Sequence, residues 1–116
     1  MREQIRYSLF KKMIDSFEGT HECEIYFKGT HTTYMIINNY DATVSFQRCC
    51  SGNKVCDGSE VAFYDNLDTL YHSVSIDGIC LEKDWERIES IVVDGSFDLA
   101  FPDEIPKLKE WYDIDF

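Results

Sequence analysis

The five cysteines and three histidines are the residues here suited to metal binding or nucleophilic catalysis. Cys49, Cys50 and Cys56 lie close together, and His31 or His72 offers a fourth ligand. Structural zinc takes paired ligands about two to four residues apart, so that two thiolates from one turn share a tetrahedral ion. Cys49 and Cys50 are adjacent, so on a strand they point to opposite faces, and one of them meets Cys56 across the turn Ser51-Gly52-Asn53. That arrangement is a two-thiol contact rather than a cage. We expect neither metal nor cofactor, and leave open whether these thiols form a disulfide.

A catalytic cysteine needs a histidine to generate its thiolate and a third group to orient that histidine. His21-Glu22-Cys23 has the residue types, but His21 and Cys23 share one strand, which rarely supplies nucleophile, base and anion-stabilising amides together. No nucleophile elbow, Gly-x-Gly-x-x-Gly run, phosphate loop or Asp-x-Asp-x-Asp-Gly calcium loop occurs. The expectation is a protein without catalytic residues; a small Cys/His-dependent hydrolase centred on Cys23 and His21 is the alternative.

Acidic chemistry is the stronger signal. The chain of 116 residues carries 22 Asp and Glu against 11 Lys and Arg, a formal charge of −11. Residues 1–58 are neutral, with seven of each sign, whereas residues 59–116 hold four basic and fifteen acidic side chains. Sequence-independent nucleic-acid binding depends on cations neutralising phosphates, so direct nucleic-acid partners are excluded, and anionic membrane surfaces with them. A basic protein surface is the partner that such a potential steers and selects. The residues expected to make it are Glu82, Asp84, Glu86 and Glu89, on one helix face, joined by Asp94, Asp98, Asp103 and Glu104. The aromatic stretch Trp111-Tyr112-Asp113-Ile114-Asp115-Phe116 is expected to dock on its own domain as a last strand or helix. Homodimerisation through the sheet or this stretch stays open.

The elements that must position these residues follow from periodicity. Ile5, Leu9, Phe10, Met13, Ile14 and Phe17 gather on one face of a helix over residues 3–17. Cys23, Ile25 and Phe27 alternate with Glu22, Glu24, Tyr26 and Lys28, the pattern of a half-buried strand. Residues 32–38 and 43–48 follow after short turns, and residues 61–64 offer a fourth strand, so the first half reads as an antiparallel meander of three to four strands. Leu67, Leu70, Tyr71 and Val74 have helical spacing behind a cap at Asp65 or Asn66. A second short helix is expected through Leu81, Trp85, Ile88 and Val92. With 44% hydrophobic and 15% aromatic residues, the chain lies far from the composition of disordered proteins and is expected to fold as a single domain over residues 1–116. The fold class is α+β. The odd cysteine count, an amino-terminal stretch without an export signal and the absence of an apolar run long enough for a membrane span point to free thiols and a cytoplasmic setting.

The amino-terminal amphipathic helix, the meander, and Asp65-Asn66-Leu67-Asp68 leading through Ile76-Asp77-Gly78 to Leu81-x3-Trp85-x2-Ile88 together resemble small acidic proteins of bacterial mobile elements and phages. The resemblance centres on residues 65–91. It implies an inhibitor or immunity-type protein acting on a nucleic-acid-processing partner, and it carries over no site residue.

Overall fold

Alternating burial along His21–Phe27 (β1), with Cys23 and Ile25 at 0% exposure and their neighbours partly open, makes this strand the axis of the sheet. The structure, a computed structural model, describes residues 5–49 and 60–116. After β1 come Thr33–Asn38 (β2), Val44–Arg48 (β3) and Val61–Tyr64 (β4), the expected meander. Two further strands, Ile88–Val93 (β5) and Phe97–Asp98 (β6), extend it to a six-stranded antiparallel sheet of order β4-β3-β2-β1-β5-β6.

The helices are Tyr7–Ser16 (α1), Leu67–His72 (α2), Leu81–Asp84 (α3) and Glu104–Tyr112 (α4). The fold is therefore α+β. In α2, Asn66 is the cap: its side chain accepts a 2.9 Å hydrogen bond from the Thr69 amide. The aromatic stretch that closes the chain is only partly a helix: Trp111 and Tyr112 end α4, and Ile114 and Phe116 pack against the core outside any helix or strand, while Trp111 is 76% exposed. Asp113 follows α4 in the left-handed region at φ 53°, and its amide caps the carbonyls of Glu110 and Lys109.

One expected element is corrected. The helix through Leu81, Trp85, Ile88 and Val92 stops at Asp84, passes through a 3₁₀ turn at Trp85–Arg87, and becomes β5. The helical spacing was real but shared among three elements: Leu81, Trp85 and Ile88 are all buried, from α3, the 3₁₀ turn and the strand respectively. Ile91-Val92-Val93 is a β-branched run that packs better on a pleated surface than in a helix. Tertiary pairing adds to this preference, because β5 satisfies the second edge of β1, which otherwise would present unpaired backbone.

All four helices lie on one face of the sheet. Phe10, Met13 and Ile14 of α1, Leu67 and Leu70 of α2, Leu81 of α3 and Leu108 of α4 join Cys23, Ile25, Tyr34, Ile36, Val44, Phe46, Ile91 and Val93 in one core cluster. Trp85 belongs to the same cluster, and its indole N–H donates a 2.8 Å hydrogen bond to the Ile5 carbonyl, fixing the start of α1 over α3.

Candidate protein-binding surface

The strand register assigns every second side chain to the opposite face, and three rows run across it. The first is Glu22, Ile37, Ser45 and Phe63. The second is Asp98, Val92, Glu24, Met35, Gln47 and Val61. The third includes Ser90, Tyr26 and Thr33. None of the apolar side chains in these rows belongs to the core cluster or packs against it. Phe63 is 71% exposed. Among the described residues no helix contributes a buried side chain to this face, which we call the open face.

Charge on the open face is single-signed among the described residues. Glu22, Glu24 and Asp98 stand in its rows, and among the described residues no Lys or Arg does. Several cations elsewhere are engaged: Lys11 with Asp15 at 2.6 Å, Arg48 with Asp77 at 2.6 Å, Arg87 with Asp84 at 3.1 Å, and Lys109 with the Phe116 carbonyl at 2.6 Å. Two of the three carboxylates are preset by the fold. The Tyr26 hydroxyl donates to Glu24 Oε2 at 2.6 Å, and Asp98 Oδ1 accepts from the Ala100 amide at 2.9 Å. The bond to Glu24 raises the Tyr26 phenol above its ordinary pKa, with burial adding to the effect.

The eight acidic residues expected to act together are spread over five elements and the turns between them. Glu82 on α3 meets His72 Nδ1 at 2.9 Å. Asp84 closes the turn of α3 by accepting from the Cys80 amide at 3.0 Å. Glu86 and Glu89 are exposed, on the 3₁₀ turn and on β5. Asp103 is at the cap position of α4 and Glu104 is in its first turn, where negative charge suits the helix dipole. Asp98 is the one that falls in the open-face rows. The sequence reading missed Glu22, Glu24, Met35, Ile37, Val61, Phe63 and Val92 as members of one surface; the alternation along β1 was the available signal for Glu22 and Glu24.

Asp94 is internal. It sits at φ 49° in the turn between β5 and β6, where Oδ1 accepts from the Glu22 amide at 2.9 Å. Its Oδ2 accepts from the Tyr112 hydroxyl at 2.5 Å and lies 2.8 Å from His21 Nδ1. Burial by itself pushes the Asp94 carboxyl up, but the Glu22 amide, Tyr112 and His21 outweigh it and hold the group below its ordinary pKa. His21 Nε2 lies 2.9 Å from the Glu18 carbonyl, and the Phe17 ring stacks on the imidazole at 4.2 Å. This cluster ties the end of α1, the start of β1, the β5–β6 turn and α4 together.

The geometry bears on the cysteines too. Cys23 is at 0% exposure, and burial, then the Asp94 charge, push its thiol well above its ordinary pKa. Both ring nitrogens of its strand neighbour His21 are engaged elsewhere. A nucleophile needs the reverse of both conditions. Cys50 and Cys56 lie outside the described residues; among the described residues no three His, Cys, Asp or Glu side chains gather as a metal site.

No family model matches this chain, and searches of curated proteins and of solved structures return no match. Among the described residues no helix is long and apolar enough to cross a membrane.

Proposed function

We propose that this protein is a non-catalytic binding module that engages a basic protein through the open face of its sheet. The observation that carries the reading is the pairing of carboxylates Glu22, Glu24 and Asp98 with the half-buried Ile37, Met35, Val92 and Val61 and the exposed Phe63, none of them packed on the core, on one face. Interfaces combine apolar contact for affinity with charge for steering and partner choice. A nucleic acid or an anionic membrane would be repelled by the same carboxylates. An inhibitor or immunity-type role toward a nucleic-acid-processing protein, as the sequence resemblance implies, is one form of this reading, since such proteins carry basic surfaces.

The test is affinity capture from source-cell lysate with the native chain and with the Glu22→Lys, Glu24→Lys double variant, folding checked by circular dichroism. The reading expects the native chain to retain a basic protein that elutes with salt and that the variant loses. Equal retention by both chains overturns it.

A further inference from the structure

The open face has a direction. Its apolar side chains Met35 and Ile37 on β2 and Val61 and Phe63 on β4 lie to one side, and its carboxylates on β1 and β6 lie to the other, with Val92 of β5 between Glu24 and Asp98. Adjacent strands are about 4.8 Å apart and a helix with its side chains is about 10 Å across. A helix seated over the seam of β1 and β2 therefore covers both kinds of column at once. Its apolar stripe meets Met35 and Ile37, while long Lys or Arg side chains on its flank reach Glu22, Glu24 and, across Val92, Asp98. An extended strand laid along the same seam turns only alternate residues toward the sheet, in a line about one column wide, and meets either the apolar or the acidic column. Helices already cover the other face, so a helix from outside completes the layer arrangement in which a sheet buries both of its surfaces.

On this ground, and resting on the protein-binding reading above, we infer that the partner presents a basic amphipathic helix to the open face. The helix has apolar residues at i, i+3, i+4 and i+7 and Lys or Arg beside that stripe, the helix-in-groove mode of recognition.

Three synthetic peptides of one composition, built from Leu, Ala, Lys and Arg, test this against the full chain by fluorescence anisotropy at low and at moderate salt. One has the helical period, one alternates apolar and basic residues, and one is scrambled. The helical-period peptide is expected to bind at least about tenfold tighter than the others, to gain helical circular dichroism on binding, and to weaken with salt. The Glu22→Gln, Glu24→Gln, Asp98→Asn triple variant keeps its hydrogen-bond acceptors and is expected to lose about tenfold in affinity, with a flatter salt dependence. Ile37→Ser, which alters no charge, is expected to weaken binding without changing the salt dependence. Tighter or equal binding of the alternating peptide overturns the helical partner while leaving the protein-binding reading standing. No binding by any of the three, or binding indifferent to all of these substitutions, overturns the open face as a docking surface and the inference with it.

Discussion

The two faces of the sheet are built from the same strands yet obey different rules. On the closed face Cys23, Ile25, Ile36, Phe46, Ile91 and Val93 are all at 0% exposure, and every helix packs there. On the open face, one residue along in each strand, Glu22, Glu24 and Asp98 alternate in the rows with Ile37, Met35 and Val92. The difference teaches that burial accounts for one face and leaves the other unexplained by folding. Alternation alone calls for polar residues on a solvated face, and the half-buried apolar side chains that stand there instead are the ones the proposed contact uses.

The largest effect that separates the faces is a cavity. Phe46→Ala on the closed face is expected to cost about 3–5 kcal/mol in urea unfolding. Ile37→Ala, one residue along from Phe46's strand partner Ile36 and pointing outward, is expected to cost less than about 1 kcal/mol. Similar losses at the two positions would erase the distinction.

Next in size is the tie at the end of the sheet. Asp94→Asn tolerates the left-handed backbone and keeps one oxygen acceptor but loses the charge that faces the Glu22 amide, Tyr112 and His21, and at this exposed site is expected to cost about 0.5–1.5 kcal/mol at neutral pH. The folded-state pKa of Asp94 is depressed, so its contribution is fully present above the ordinary carboxylate value. It is lost as pH falls through the folded value. The gap between the native chain and the Asn variant should therefore be widest near neutrality and narrow in acid; a gap constant with pH would show that the carboxylate charge contributes nothing.

The smallest effect concerns the acids that the sequence singled out. Reversal of the exposed Glu82, Glu86 and Glu89 to Lys is expected to change stability by no more than about 0.5 kcal/mol per site and to leave peptide binding at the open face within about twofold of the native chain. A loss as large as that of the open-face triple variant would move the contact surface to α3 and β5.

The comparison also shows what was legible in the residues. The α1 stripe, the meander and the Asn66 cap follow from local period and capping chemistry, and all stand in the structure. The conversion of residues 88–93 from expected helix to β5 could not be read locally. Leu81, Trp85 and Ile88 fit a helical stripe, and what decides the strand is the open edge of β1, a partner distant in sequence. The charge asymmetry could not show which acids share a face, for a similar reason. Counting by chain halves assigned the acidic surface to residues after 58, whereas pairing brings Glu22 and Glu24 of the neutral half beside Asp98, and Asp84 and Asp94 are absorbed into internal hydrogen bonds.

The most direct measurement is a two-dimensional NMR titration of the labelled full chain with the helical-period basic peptide. The account predicts that the largest amide shifts fall at Glu22, Glu24, Met35, Ile37 and Val92, with α2, α3 and α4 little changed. Shifts concentrated on the helices, or none at saturating peptide, would contradict it.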